Sequence, residues 1–418
     1  MAEKYPFDHV SPVWSRYSDM VVSHGAGSYL FDTKGNKYLD FTTGIGVTNT
    51  GHCHPKVVKA IQDQAAKLIH GQANIVMHQP MLGLIDRLKT IVHPSLDGFF
   101  FSNSGAEAVE GAIKLARMVT KRPNVIVFQG SFHGRTIATM SLTTSKTIYR
   151  AGYQPLMPGV FVAPFPYAYR YGWDAEQTSQ WCLDELELLL LSQTAPHETA
   201  AILIEPVLGE GGYIVPPQSF IEGLREVADK HGILLIFDEI QSGFGRTGKW
   251  FAHNHFGVRP DIITVAKGLA SGMPISGVIS RLELMEKWTP GSHGGTYGGN
   301  VVAAAAAVAT INAIEQENML ENAAARGEQL INALKEFQRS HPEIGDVRGL
   351  GLMIGVEYRD KEGKPSRKLA KAVTKKAFEK GLMLLTCGLW DNTIRLIPPL
   401  NISSTEVEEA LGIIEDSL

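Results

Sequence analysis

One lysine stands where lysines are seldom kept. Lys267 follows the apolar β-type run Ile262-Ile263-Thr264-Val265-Ala266 and precedes Gly268. Taking an ammonium group out of water without a partner is costly, and the group responds by lowering its own pKa. An amine that is neutral part of the time can attack a carbonyl and hold it as a Schiff base. A strand-end lysine that simply reaches water is the competing reading, and Lys267 alone does not separate the two. Asp238 poses the same question with the opposite charge. It ends the run Ile233-Leu234-Leu235-Ile236-Phe237, where a carboxylate needs something positive to meet it. A protonated ring nitrogen would serve, because a ring held in that state takes up the electrons of a substrate carbanion. The alternative is an aspartate capping the turn that begins at Ser242.

Six further groups of residues carry weaker signals or imitate them. Ser104-Gly105-Ala106-Glu107 matches a capping box, with Val109, Ile113 and Ala116 continuing at helical spacing. The free N–H groups and positive dipole end of such a helix form a phosphate site, although capping boxes without ligands are far commoner. Phe132-His133-Gly134-Arg135-Thr136 supplies an aromatic face able to stack on a planar ring and an arginine able to clamp a carboxylate. Packing and surface charge explain those residues equally well. Glu205 stands before Pro206, and Arg395 lies within Thr393-Ile394-Arg395-Leu396-Ile397, an acid and an arginine from distant segments that could pair. Gly243-Phe244-Gly245-Arg246-Thr247-Gly248 fits the dinucleotide pattern G-x-G-x-x-G, but no helical repeat follows and no acidic residue comes about 20 positions later. Gly349-Leu350-Gly351 is a second glycine decoy. His52-Cys53-His54 sits between Gly51 and Pro55, which points to a turn, and no metal site is expected.

These residues need elements to position them. Short apolar runs ending in polar or glycine residues occur at Phe99–Asn103, Val125–Gln129, Ala201–Glu205 and Ile233–Asp238. Helical patterns lie between them, such as Ala106–Met118 and Ser219–His231, and the alternation predicts a parallel α/β sheet buried on both faces. Ligands in such sheets bind beyond the carboxyl ends of the strands. Ser102, Glu205, Asp238 and Lys267 all fall at or just past such ends. Beyond Tyr297 the texture changes to an alanine-rich helix (Val301–Glu315), a charged helix (Asn322–Arg339) and strands around Gly349–Tyr358 and Thr393–Ile397. The expected organisation is an N-terminal segment, 1–55, that contains a hairpin and packs with a small α+β domain at 306–418; a large domain fills 56–305.

The 418 residues are 44% hydrophobic and 20% charged, with 39 basic against 43 acidic side chains and a formal charge of −4. That balance offers no basic footprint for nucleic acid. Cys53, Cys182 and Cys387 are far apart and form no CxxC, which fits a reducing cytoplasm. The segment Met1–Asp8 has no apolar signal core, and the greasiest stretch, Val301–Ala309, is too short to span a bilayer. A small-molecule partner is therefore expected, with neither membrane nor nucleic acid.

Taken together the motifs resemble the class III (ω-) aminotransferases, pyridoxal-phosphate enzymes of fold type I. The resemblance runs over nearly the whole chain. It is carried by Ser-Gly-Ala-Glu-Ala-Val-Glu at 104–110, Phe-His-Gly-Arg-Thr at 132–136, Glu-Pro-Val-Leu-Gly-Glu-Gly-Gly at 205–212, Asp-Glu-Ile-Gln at 238–241, Ala-Lys-Gly at 266–268 and Gly-Gly-Thr-Tyr at 294–297, all in the family's order. It implies a large domain with a mostly parallel seven-stranded sheet flanked by helices, beside a smaller α+β domain. It also implies that Lys267 links to pyridoxal 5'-phosphate and moves the substrate proton, that Asp238 holds the pyridine nitrogen and that Gln241 meets the phenolic oxygen. By the same likeness Phe132 and His133 lie over the ring, Ser104, Gly105 and Ala106 cup the phosphate, and Thr296 reaches the phosphate of a neighbouring subunit in a homodimer.

Within that family Ile45, Arg135, Glu205 and Arg395 resemble the substrate residues of enzymes acting on 4-aminobutyrate. The resemblance implies that Arg135 holds the distal carboxylate and Arg395 the α-carboxylate of glutamate. Glu205 is expected to pair with Arg395 when the substrate has no α-carboxylate. The implied reaction is ping-pong transfer of an amino group from an ω-amino acid to 2-oxoglutarate. N-acetylornithine or another ω-amino donor, pyruvate as acceptor, and racemisation are the rival chemistries. A nicotinamide-binding protein using Gly243–Gly248 and a non-catalytic binding module are the rivals from other classes.

Overall fold

The computed structural model describes residues 5–418. Seven strands form the central sheet: β1 (Gly98–Ser102), β2 (Asn124–Phe128), β3 (Val160–Ala163), β4 (Thr199–Ile204), β5 (Leu234–Asp238), β6 (Ile262–Val265) and β7 (Ser276–Ser280). Their order across the sheet is β1-β7-β6-β5-β4-β2-β3. Only β7 runs against its neighbours, antiparallel to both β1 and β6; the other pairs are parallel.

Alternate side chains of each inner strand enter two different cores. Ile126, Phe128, Ile202, Ile204, Leu235 and Phe237 pack on one face, and Val125, Val127, Ala201, Leu203, Leu234 and Ile236 on the other. The second face is covered by the helix Gly105–Thr120, through Ala108, Val109, Ala112 and Leu115. The first receives Phe220, Ile221 and Leu224 of Gln218–His231 and Cys182 and Leu186 of Ala175–Ser192. Both faces being buried explains why these strands read as continuous apolar runs instead of alternating ones.

Two smaller sheets flank this unit. The first joins Val22–Ala26, Tyr29–Asp32 and Lys37–Asp40 as an antiparallel set, one strand more than the expected hairpin, and the distant Leu382–Met383 adds in parallel. The second is antiparallel, in the order Ile344–Leu350, Met353–Tyr358, Thr393–Leu396, Leu385–Cys387. The alanine-rich helix Val301–Gln316 packs against Pro55–Ala65 and Gln79–Lys89. Gly243–Gly248 forms a run of turns, and only the short 3-10 helix Ala252–His255 follows it, with no α-helix start there to receive a dinucleotide's phosphates. His52 and His54 turn to separate carboxylates, Asp40 at 2.8 Å and Glu317 at 3.1 Å. Among the described residues no helix is long and apolar enough to cross a membrane.

Candidate active site

The carboxyl ends of β1, β2, β4, β5 and β6 open on one cavity of about 420 Å³, within the range of small-molecule sites. Its wall includes Ile45, Ser104, Gly105, Ala106, Phe132, His133, Arg135, Glu205, Asp238, Gln241 and Lys267. These positions span more than 200 residues of sequence and meet because they lie at, or within a few residues of, the carboxyl ends of these strands, with Ile45 supplied by an early turn. Two expected residues are placed elsewhere. Thr296 is exposed on a turn and does not border the cavity of its own chain. Arg395 lies one layer back, behind Glu210. Ser102 also stays in the sheet, its hydroxyl bonded to Ser276 at 2.7 Å.

Lys267 stands two residues past the end of β6 with φ at 45°, a left-handed conformation that costs a side-chain-bearing residue about 1 kcal/mol or more. The next residue has no room for a side chain, since a Cβ at Gly268 would run into Asn49 Nδ2, and Asn49 is itself bonded to Phe244 O and Arg246. Burial pulls the Lys267 amine down from 10.5 to about 8, against the upward pull of Asp238 and Glu205. A substantial neutral fraction near neutrality makes it a competent nucleophile and base.

Asp238 accepts from His133 Nδ1 at 2.7 Å with one oxygen, and from Thr264 Oγ1 at 3.1 Å and Ile240 N at 3.2 Å with the other. His133 Nε2 and Gln241 Oε1 are buried without hydrogen-bond partners among the described residues. Phe132 and Tyr149 meet edge to face at 5.3 Å, and Arg135 lies over the Tyr149 ring at 4.8 Å. Arg135 is exposed and makes no salt bridge among the described residues, which leaves its guanidinium free for an incoming carboxylate. Ser104 closes a reciprocal capping box with Glu107. The amides of Gly105 and Ala106, beyond reach of any carbonyl of their own helix, border the cavity.

The expected partnership of Glu205 with Arg395 is not the one the fold makes. Glu205 is taken by two backbone amides, Phe132 N at 2.7 Å and Gly209 N at 2.8 Å. A glycine is needed at 209, since a Cβ there would stand 2.9 Å from both Glu205 Oε2 and Gln241 Oε1. Burial pushes the Glu205 carboxyl up to about 7 against the opposing effect of His133 and the two amides. The partner of Arg395 is Glu210, at 2.9 Å. Burial acts to raise the Glu210 carboxyl as well, but Arg395 and Lys146 together hold it below the usual carboxylate range. Glu210 belongs to the same glycine-rich motif as Glu205, so the motif announced two acids without saying which one turns to the arginine. Lys146 and Tyr149, which also bond Glu210 at 3.0 Å each, carry no signal in the sequence beyond their types.

The family model described as Aminotransferase class-III matches residues 10–418. A probable 4-aminobutyrate aminotransferase from Bacillus subtilis is 41% identical over 399 residues, covering 94% of this chain and 92% of the relative. An alanine/serine racemase from Pyrococcus horikoshii is 39% identical over 406 residues, covering 96% and 85%. Among solved structures, an amine transaminase from an uncultivated Pseudomonas species, in a PLP-bound form, superposes with a TM-score of 0.90 at 29% identity, covering 100% of this chain and 98% of that one. A strand-end lysine with a lowered pKa, a buried aspartate and a helix N-terminus around one cavity agree with what these matches show: the chain belongs to the class III aminotransferases.

Proposed function

We propose that this aminotransferase moves the amino group of 4-aminobutyrate, or a close ω-amino acid, to 2-oxoglutarate with pyridoxal 5'-phosphate as cofactor. The observation that carries the substrate assignment is the pair of arginines. Arg135 is free at one side of the cavity, and Arg395 is neutralised by Glu210 behind another. A donor with a single carboxylate needs only Arg135 and leaves the Arg395–Glu210 pair intact. A dicarboxylate needs both arginines, and one site serves both half-reactions if Glu210 releases Arg395.

The residues present fit the cofactor. The Gly105 and Ala106 amides and the positive end of a 16-residue helix suit a phosphate. The buried Asp238 suits a protonated ring nitrogen, and the orphaned Gln241 Oε1 offers a polar contact to the ring's substituents. Phe132 and His133 bound the space over the ring. Bound there, the cofactor supplies the electron sink for the bond that breaks at the donor carbon. Lys267 holds it and carries the proton, a task suited to an amine titrating near 8. His133 steadies Asp238 at 2.7 Å, and Glu205 fixes the backbone of Phe132 through its amide.

The same reading makes the working unit a homodimer in which Thr296 serves the neighbour's phosphate. Exposed Thr296 and the exposed apolar residues Ile69, Ile75, Met77 and Tyr297 support it. A cytoplasmic setting is supported by three unpaired cysteines. The test is the near-visible absorbance of the purified protein before and after 4-aminobutyrate, then after 2-oxoglutarate. A cofactor band that bleaches with the amine and returns with the keto acid is the expected result. A band indifferent to 4-aminobutyrate, with an amino acid inverted in the absence of any keto acid, overturns the reading in favour of racemisation.

A further inference from the structure

Glu210 is held by its two oxygens separately. Oε2 accepts from Arg395 Nη1 at 2.9 Å. Oε1 accepts from Lys146 Nζ and from the Tyr149 hydroxyl, each at 3.0 Å. All three charged side chains are largely buried, with exposures of 14% for Glu210, 6% for Arg395 and 15% for Lys146. Lys146 is braced in turn by Asp391 Oδ1, whose other oxygen meets Arg367 at the rim at 3.3 Å. At rest the interior therefore holds two cations and two carboxylates in balance.

A dicarboxylate upsets that balance, on the substrate reading given above. Its second carboxylate takes Arg395, and Glu210 loses a partner in a dry site. A buried carboxylate left alone either resists the change or picks up a proton. Here only one of its oxygens is released. The geometry points to Lys146, braced by Asp391, as the positioning residue that keeps Glu210 ionised once Arg395 has turned to a dicarboxylate, and thereby as a determinant of glutamate and 2-oxoglutarate acceptance.

The other titratable groups near Glu210 do not take over this role. Tyr213 and Cys387, which face Arg395 and Glu210, are kept neutral by burial. Tyr149 donates a hydrogen bond without bringing charge, and Lys267 across the cavity is committed to the chemistry. Lys146 itself is held charged: burial works against its ammonium form, and Glu210 and Asp391 more than compensate.

Calorimetric titration of the holoenzyme with glutarate, an unreactive dicarboxylate, tests this in two buffers of different ionisation enthalpy so that proton uptake is counted. Wild type is expected to bind glutarate with little proton uptake at pH 8. K146M is expected to bind about thirtyfold more weakly or worse, with uptake approaching one proton per site as Glu210 neutralises. The double variant K146M/E210Q recovers most of the affinity and loses the uptake, and K146R stays near wild type. A purely structural role for Lys146 predicts weaker binding without proton uptake and without rescue by E210Q; that result, or K146M binding within about twofold of wild type, overturns the inference while leaving the substrate reading in place. Wild type that neither binds glutarate nor gives a half-reaction with glutamate overturns the substrate reading and the role of Lys146 with it.

Discussion

His133 Nδ1 lies 2.7 Å from Asp238 Oδ2, and neither side chain is more than 3% exposed. The histidine fixes the plane of the carboxylate, while Thr264 and Ile240 N bind its other oxygen. Asn at 238 preserves the shape and removes the charge. Asp238→Asn is expected to lower kcat by at least about 100-fold, the scale of losing one preorganised electrostatic contact. One amide group of the new side chain must face a donor, which costs about 1–2 kcal/mol of stability. Steady-state kinetics beside urea unfolding separate these effects; a kcat within tenfold of wild type, with cofactor bound, would sink the assignment.

Lys267 gives a prediction about the cofactor-free protein. Its amine titrates near 8 in the fold and near 10.5 when unfolded, so the fold disfavours the ammonium form. That cost is fully present below about pH 8 and shrinks as pH rises from 8 toward 10.5. Lys267→Met removes it, and the cofactor-free variant is expected to be more stable than cofactor-free wild type at pH 7, with the gap narrowed to about half or less at pH 9.5. Urea denaturation at both pH values checks the sign. Turnover by the variant should be undetectable.

The two arginines should fail differently. Arg135 makes no salt bridge among the described residues, so Arg135→Met leaves no buried partner behind. Loss of a charged hydrogen bond to substrate is worth about 1.5–3 kcal/mol, which predicts a rise of about ten- to a hundredfold in KM for 4-aminobutyrate and 2-oxoglutarate alike. Arg395→Gln should harm the dicarboxylate half-reaction far more than the 4-aminobutyrate one. Single-turnover spectra with each substrate decide the matter, and equal losses in both half-reactions for Arg395→Gln would contradict the division of labour.

How far the sequence foretold this site depends on what each residue costs the fold. Lys267 and Asp238 were legible because a charge at the end of an apolar strand demands a reason. Ser104 was legible through the cap it makes, and the alternation of strands and helices predicted the crevice where they meet. The β7 strand was not seen: Ser276-Gly277-Val278-Ile279-Ser280 has a glycine and two serines, and its antiparallel direction depends on neighbours far away in the chain. The sequence pairs Glu205 with Arg395 because the choice between two acids five residues apart depends on amides brought together by the fold: Phe132 N, from a distant segment, and Gly209 N claim the first acid, and the second turns to the arginine. Lys146 was invisible because its partners, Glu210 and Asp391, come from segments about 60 and 245 residues away.

Arg246 shows how the glycine-rich segment that resembled a nucleotide loop is used instead. Its side chain is fully buried and donates to Leu352 O at 3.2 Å, to Pro398 O and to Asn49 Oδ1 at 2.8 Å. Burial lowers its pKa to about 10, and it is held by carbonyl dipoles instead of a carboxylate. Asn49 is also the group packed against Gly268, so Arg246 ties the C-terminal segments at Leu352 and Pro398 to the backbone next to Lys267. Arg246→Lys keeps the charge but cannot span three acceptors in one plane. With each lost charge-assisted bond worth about 1.5–3 kcal/mol, the variant is expected to lose about 3 kcal/mol of stability. It should also retain the cofactor less tightly, because Lys267 is no longer held in register. Urea unfolding paired with the rate of cofactor loss on dialysis checks both; a destabilised protein that keeps its cofactor as wild type does would confine Arg246 to the fold and detach it from the site.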